Sequence, residues 1–282
     1  MGYYPTGYFS LRIGATEIRH VDVYRGTRHD HTLPVLWPLK RMKRIVRPER
    51  LDTLSPQDSR AVRSRGDLHR VNICMRNHAL MADALQNVLN PGLAARITEL
   101  GAGDGRFFLR VAERLRTVGW VSSFAPEHPS QVTDITLLDM QSNVSADTVA
   151  ALAALGWHGD AIVADVFDWL RTAQPTEVVI ANLFLHHFED AQLVELLRLV
   201  SLRTKVFIAI EPRRAAWPMF CSRLLWALGC NDVTRHDAVV SVRAGFAGGE
   251  LSALWPDHDH WQHAEHRAGL FSHVFITRHH IT

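Results

Sequence analysis

The chain has 282 residues, of which 47% are hydrophobic and 21% are charged, so it can bury one large core. Its three cysteines form no paired framework and no Cys-x-x-Cys site, which argues against a disulfide-stapled secreted domain and a structural metal. No apolar run is long enough to cross a membrane, and the first residues lack the pattern of a signal peptide, so a cytoplasmic protein is expected.

Positive charge is concentrated at the start, where residues 1–70 carry 14 lysines and arginines against 7 acidic residues. The cluster Lys40-Arg-Met-Lys-Arg44 has two explanations, an arm that binds nucleic acid or a solvated tail. Aromatic residues do not alternate with these charges, which favours the tail, so no nucleic-acid partner is expected. Residues 1–46 show no sustained period, and we expect them to form a basic extension that need not be ordered.

A helical segment is expected next, over residues 47–92. Apolar residues between Asp67 and Leu89 recur at the spacing of one or two amphipathic helices, and Asn90-Pro91-Gly92 ends the pattern. From residue 93 onward, predicted strands and helices alternate. The strands are Arg96–Leu100, Ile135–Asp139, Ala161–Val166, Glu177–Asn182 and Val206–Ile210, and the helices are Gly105–Arg116, Ala146–Leu155 and Asp190–Val200.

This alternation predicts the fold class. Strands separated by helices need crossover connections, which produce a doubly wound α/β fold with a mostly parallel sheet and helices on both faces. Near the end of the chain, Gln262–Arg267 and Ser272–Thr277 predict a closing antiparallel hairpin. Before this hairpin, residues 213–256 form a helical, Trp-rich insertion, which either lines an acceptor pocket or acts as a lid.

The most informative motif is the glycine-rich turn Glu99-Leu-Gly-Ala-Gly-Asp-Gly105, which joins a buried strand to a helix. Glycines let the backbone come close to a ligand, while the first N–H groups of the following helix point toward it. A dinucleotide site would need a glycine at the sixth place of the turn, where Arg106 stands. A nicotinamide or flavin cofactor is therefore disfavoured.

Carboxylates follow two neighbouring strands, at the edge of the sheet where ligands collect. Asp139 ends the second strand and is expected to accept both hydroxyls of a ribose. Asp165 follows the third strand and is expected to accept from an exocyclic amine such as that of adenine. Asp165 and Asp168 have an alternative role as caps of the following helix, and for Asp168 the capping role is favoured.

These motifs, together with Asn182-Leu-Phe-Leu-His-His-Phe188 at the fourth strand, resemble the small-molecule branch of the class I S-adenosylmethionine-dependent methyltransferases. The resemblance covers residues 95–211 well. It implies a seven-stranded sheet with an antiparallel last strand, a catalytic domain over residues 93–282 and S-adenosylmethionine as the cofactor. It places Glu99, Gly101, Gly103 and Gly105 at the methionine end, Asp139 at the ribose, Asp165 and Val166 at the adenine and Asn182 and Leu183 at the back of the pocket, with Ala102, Asp104 and Met140 completing the site.

A sulfonium methyl is already electrophilic, so the protein has to align the acceptor and, for a hydroxyl acceptor, remove its proton. His186 and His187 stand where the fourth strand meets the site, and either is expected to act as the base or to orient the acceptor, with a slight preference for His186. The alternative is that one of them caps or packs beneath the next helix. If neither acts, Glu211 and His236 are next in line.

The His-rich run between Asp257 and His266 also has two explanations, a metal site or part of the closing strand. A catalytic zinc site needs ligands on rigid elements, so we expect the strand, and we expect no metal site in this protein.

The expected function is O-methylation of a lipophilic or aromatic small molecule, of the kind found in secondary metabolism. Two alternatives stay open, a methyltransferase that acts on RNA or protein and a non-enzymatic partner protein that binds S-adenosylmethionine, because a fold alone does not give activity. No membrane partner is expected, and the sequence leaves the acceptor and the oligomeric state undetermined.

Overall fold

The computed structural model describes residues 42–55, 57–89, 95–119 and 133–280, so the expected stop at residues 90–92 lies outside the described chain. The helices are α1 (Arg50–Thr53), α2 (Ser59–Met75), α3 (Asn77–Val88), α4 (Arg106–Thr117), α5 (Ala146–Ala154), α6 (Val166–Thr172), α7 (Asp190–Ser201), α8 (Ala216–Ser222), α9 (Asp232–Ala244) and α10 (Glu250–Leu254). The strands are β1 (Arg96–Leu100), β2 (Thr133–Asp139), β3 (Trp157–Val163), β4 (Thr176–Asn182), β5 (Thr204–Pro212), β6 (Trp261–Ala268) and β7 (Ser272–His279). Short 3₁₀ turns span Leu185–His187, Leu225–Leu228 and His258–His260.

The seven strands of the described residues form one sheet, in the order β3-β2-β1-β4-β5-β7-β6. Strands β1 to β5 pair in parallel, and β7 pairs antiparallel with both β5 and β6. The strand order reverses between β1 and β4, which is the position where doubly wound sheets bind ligands. The predicted mostly parallel seven-stranded sheet with a closing hairpin is confirmed.

Helices pack on both faces of the sheet, so the side chains of the central strands are buried on both sides. On one face α3, α4 and α5 pack through Leu85, Phe108 and Leu152, and on the other α7 and α10 pack through Leu196 and Leu251. Strands that are buried on both faces need apolar residues at nearly every position, and the sequences of β4 and β5 have them. The sheet therefore holds its carboxyl-end loops on a rigid base.

Two predicted boundaries are wrong. Strand β3 runs over Trp157–Val163 instead of Ala161–Val166, because it lies at the edge of the sheet and its exposed positions carry no apolar signal. The first long helix begins at Ser59, eight residues before the predicted start, where the Asp58 side chain accepts from the N–H of Arg60. The helical segment then divides at Arg76, whose φ is 58°.

Residues 42–49, here called the strap, have no regular secondary structure and contact the rest of the folded chain, chiefly through Arg44. The guanidinium of Arg44 donates to the carbonyl oxygens of Ala244 and Phe188, each at 2.8 Å, and to Oδ1 of Asp190 at 2.6 Å. It also lies 4.7 Å above the centroid of the Phe246 ring. These contacts make the strap part of the folded unit.

The folded unit begins at Met42, within the expected extension of residues 1–46. The rest of the expected extension, residues 1–41, lies outside the described chain. The expected insertion of residues 213–256 contains α8, α9 and α10 and stands between β5 and β6. In the part of the chain that the structure describes, no helix is both long and apolar enough to cross a bilayer.

Candidate cofactor and acceptor site

The glycine turn after β1 has the backbone that the motif predicts. Gly101, Gly103 and Gly105 have φ values of 70°, 57° and 74°, a region that L side chains rarely adopt. A Cβ at Gly101 would overlap Cδ2 of Phe184, whereas a Cβ at Gly103 would meet no atom of the described residues within 4 Å. The turn is thus packed against Phe184 at one end and open at Gly103, where a ligand can approach bare backbone.

Asp139, at the carboxyl end of β2, is bonded to this turn. Its Oδ2 accepts from the N–H of Gly103 at 2.9 Å, and its Oδ1 accepts from the N–H of Gln141 at 2.8 Å. Each carboxylate oxygen keeps a further lone pair, so Asp139 can still accept hydroxyls of a ligand. Of the other predicted neighbours, Ala102 is buried and Met140 is 72% exposed.

Glu99 lies on β1 next to the turn and is 2% exposed. Its Oε2 has no hydrogen-bond partner among the described residues. Burial, followed by the negative charges of Asp104 and Asp139, raises the pKa of Glu99 well above 4.5. A ligand with a cationic amino group fits this place, because an ammonium would supply both the missing hydrogen bond and the missing countercharge.

Asp104 makes a contact that the sequence analysis missed. Its Oδ2 lies 3.0 Å from Nε2 of His69 on α2, and its Oδ1 accepts from the N–H of Arg106 at 3.2 Å. Burial alone would raise the pKa of Asp104, but the hydrogen bond and charge of His69 outweigh it and lower the pKa. Helix α2 is therefore bonded to the glycine turn, and no local pattern in the sequence links it to that turn.

Asn182 joins the end of β4 to the N-terminal helices. Its Nδ2 donates to Oδ1 of Asn72 at 3.2 Å, and its Oδ1 accepts from Nδ2 of Asn77 at 2.9 Å. Asn77 in turn accepts from the hydroxyl of Ser272 on β7 at 2.7 Å. The next residue after Asn182, Leu183, has a φ of 53°, a conformation uncommon outside glycine. These four polar side chains hold the end of β4 beside the glycine turn.

His186 is the centre of a buried chain of ionisable groups. Its Nδ1 lies 2.8 Å from Oε2 of Glu211, its Nε2 lies 3.2 Å from Oε1 of Glu49 on the strap, and its side chain is 3% exposed. Burial lowers the pKa of His186, but the hydrogen bonds to Glu211 and Glu49 outweigh burial and raise it to about 9. The imidazole is therefore protonated at neutral pH and bonded at both nitrogens, so it has no free lone pair with which to act as a base.

Glu211, one of the two alternatives to the histidines, shapes the turn that follows β4. Its Oε1 accepts from the N–H groups of Phe184 at 2.9 Å and Leu185 at 2.8 Å. With His186 on its other oxygen, this fully buried carboxylate sets the position of Phe184 against Gly101. The other alternative, His236 on α9, lies 2.8 Å from Oδ1 of Asp237.

His187 is held more loosely. Its Nδ1 lies 3.1 Å from Oδ2 of Asp52 on α1, its side chain is 27% exposed, and its ring centroid lies 4.4 Å from that of His186. Glu49, His186 and His187 each offer one ligand atom, and these atoms lie within 4.8 Å of one another.

Asp165 takes the alternative role that the sequence left open. Its Oδ1 accepts from the N–H groups of Phe167 at 2.8 Å and Asp168 at 3.1 Å, so it caps α6. Asp168 is exposed and pairs with Arg171 at 2.8 Å. Val166 is buried in the first turn of α6. Asp165 keeps Oδ2 for a ligand, and its adenine role stays a prediction.

No protein-family model and no curated protein matches the chain. Solved structures do match. An O-methyltransferase family protein from Burkholderia thailandensis is 17% identical with a TM-score of 0.50, over 79% of this chain and 60% of that one. The plantazolicin methyltransferase BpumL, in complex with SAH, is 12% identical with a TM-score of 0.55, over 79% and 91% of the two chains. The mitomycin 7-O-methyltransferase MmcR is 18% identical with a TM-score of 0.51, over 81% and 60%.

The chain thus spans about 60% of the length of two of these three proteins. At such low identities the similarity is one of fold. Together with the strand order, it shows that the chain has the fold of the class I S-adenosylmethionine-dependent methyltransferases, which confirms the fold implied by the glycine turn and the carboxylate at the end of β2.

Proposed function

We propose that the protein is an S-adenosylmethionine-dependent methyltransferase that O-methylates an apolar or aromatic small molecule. The observation that carries this proposal is the glycine turn, which is open at Gly103, bonded to Asp139 and flanked by Glu99, whose buried Oε2 has no hydrogen-bond partner among the described residues. This set fits a ligand that has both a cationic amino group and vicinal hydroxyls. S-adenosylmethionine has both groups.

The cofactor would supply an electrophilic methyl group. Glu99 would accept the amino group at the methionine end, Asp139 the ribose hydroxyls, and Oδ2 of Asp165 the adenine amine. The amide network of Asn182 would keep the end of β4 in place, and α2, bonded through His69 to Asp104, would exclude water from the turn. Gly101, Ala102, Gly105, Met140, Val166 and Leu183 would complete the cofactor site.

The predicted catalytic histidines receive different roles in this proposal. His186 is a positioning residue, because it and Glu211 fix the turn whose Phe184 packs on Gly101. His187 is partly exposed and bonded to Asp52, and its predicted role as the base has no support beyond its location. Neither histidine is therefore assigned as the base that removes the proton of an acceptor hydroxyl.

The insertion supports an apolar or aromatic acceptor. Five large apolar side chains between residues 217 and 228 are at least 40% exposed, namely Trp217, Phe220, Leu224, Trp226 and Leu228. Helix α9 of the same insertion packs against β5 and the turn after β4, next to the binding edge of the sheet. Large apolar side chains that stay exposed in the folded chain are suited to contact a lipophilic ligand.

Calorimetry with S-adenosylmethionine and its demethylated product tests the cofactor site. We expect Asp139→Ala to weaken both affinities by about 1–3 kcal/mol, the usual scale for a hydrogen bond to a charged group. Asp134→Ala is the matched control, since Asp134 lies on the same strand but pairs with the exposed His158 at 3.4 Å. Unchanged affinity in a folded Asp139→Ala protein would remove the ribose assignment.

A methyl-transfer assay with labelled cofactor tests the acceptor class. Extracts of lipophilic metabolites should take up label, and total RNA and total protein should not. Label in RNA or protein alone would overturn the small-molecule assignment while leaving the cofactor site intact.

A further inference from the structure

We propose that Glu49, His186 and His187 form a binding site for a divalent transition metal, best suited to zinc, which fastens the strap to the turn after β4. Three ligand atoms from these residues converge within 4.8 Å of one another. Two imidazole nitrogens and one carboxylate oxygen are a donor set that zinc accepts, with a fourth ligand still to be added.

Each of the three proposed ligands has a second polar partner that fixes its orientation. Nδ1 of His186 faces Glu211 at 2.8 Å, and Nδ1 of His187 faces Asp52 at 3.1 Å. Carboxylates on the far nitrogen are the usual partners of metal-binding histidines, because they set the tautomer and make the ligating nitrogen more basic. The hydroxyl of Ser241 donates to Oε1 of Glu49.

The charge of the cluster also suits a cation. Three carboxylates, those of Glu49, Glu211 and Asp52, face two imidazole rings, and two of the three carboxylates are buried. A divalent ion bound to neutral imidazoles would compensate this negative charge, and it would take the place of the proton between His186 and Glu49.

Access to the site is from the side of His187. His186 is closed off from solvent, whereas the side chains of His187 and Asp52 are 27% and 52% exposed. The fourth ligand would come from that side. A bound ion would occupy the lone pair that His187 needs as a base, so this assignment gives His187 a binding role. It does not depend on the proposed methyl transfer.

The test uses the full chain, stripped with a chelator and titrated with Zn²⁺ in competition with a metal indicator, and with Co²⁺ as a spectroscopic probe. All proteins carry Cys74→Ser, because Cys74 is an exposed free thiol. We expect one tightly bound equivalent and a tetrahedral Co²⁺ spectrum. His187→Gln should weaken Zn²⁺ binding by more than about 100-fold, and Asp52→Asn by about 10- to 100-fold, as for outer partners of metal ligands.

The matched control is the double variant His258→Gln with His260→Gln, which removes two exposed histidines from the His-rich run. It should bind Zn²⁺ as tightly as the parent. Binding that is lost in this control, or that survives unchanged in His187→Gln, would mean adventitious binding and overturn the site. Absence of a tight equivalent in the folded parent would overturn it as well. Both His187 and Asp52 are partly exposed, so their variants are expected to fold, which circular dichroism checks.

Discussion

Two places at the carboxyl-end edge of the parallel strands, the proposed cofactor site and the strap, are held by contacts that span very different distances along the chain. At the proposed cofactor site, here called the cofactor side, the carboxylate of Asp139 accepts from the backbone N–H of Gly103, 36 residues earlier in the chain. On the strap side, Glu49 reaches His186 across 137 residues, and Arg44 reaches Ala244 across 200. The first side depends on backbone shape, and the second depends on side-chain charges brought together only by the fold.

This difference teaches which substitutions each side tolerates. A backbone-shaped site fails when a side chain is added, because a Cβ fills the space or strains the turn. A site made by buried charges fails when one partner is removed, because the remaining charge is left without compensation.

The largest effect is expected on the strap side, from Glu211→Gln. The substitution removes the buried countercharge of His186 and one of the acceptors of the turn after β4, and breaking a buried pair in this way costs about 3–5 kcal/mol of unfolding free energy. Urea denaturation measures the change. Glu195→Gln, at an exposed glutamate on α7 that pairs with Arg198, should leave the denaturation midpoint unchanged. A midpoint equal to wild type in Glu211→Gln would show that the chain of charges does not stabilise the fold.

On the cofactor side, Gly101→Ala should cost about 2–5 kcal/mol, since it combines a positive φ with displacement of the Phe184 ring. Gly119→Ala isolates the backbone contribution, because Gly119 has a φ of 71° and a Cβ there would meet no atom of the described residues within 4 Å. That control should cost only about 1–2 kcal/mol and leave cofactor affinity intact. Equal losses of stability and of affinity in the two variants would mean that contact with Phe184 plays no part.

Arg44→Met tests the strap by itself. The loss of three hydrogen bonds and of the contact with Phe246 should destabilise the protein by about 1.5–3 kcal/mol. Thermal unfolding provides the measurement, with Arg110→Met as the control at a largely exposed arginine on α4. A melting temperature that falls equally in both variants would show that the strap contacts add nothing specific.

The smallest effect concerns pH and Glu99. The pKa of Glu99 is higher in the folded chain than in the unfolded chain, so the folded chain keeps this proton to a higher pH. The contribution of this proton to stability is present below about pH 4.5 and is lost as pH rises through the raised pKa. Glu99→Gln should lack this decline in urea midpoints measured across pH. Cofactor affinity in the wild type should rise over the same range, because ionised Glu99 is the form that binds an ammonium. If the urea midpoints of the wild type and of Glu99→Gln changed with pH in parallel, this result would contradict a raised pKa of Glu99 in the folded chain.

Local sequence was sufficient for the elements whose signals are contiguous. The glycine turn, Asp139 and the closing hairpin were predicted because each depends on backbone conformation or apolar periodicity within a few residues. Strand β3 was misplaced for the same reason, since an edge strand has little apolar periodicity to read.

The sequence by itself determined the class I methyltransferase fold and the location of its glycine turn. Only the tertiary structure decided that Asp165 caps a helix, that His69 bonds to Asp104 of the glycine turn and that His186 lies between two carboxylates. The physical reason is that a backbone turn is specified by its own residues, whereas the charge state of a histidine is specified by whichever side chains the fold places around it. Glu49 and Glu211 stand 137 residues before and 25 residues after His186, and no local pattern links them to it.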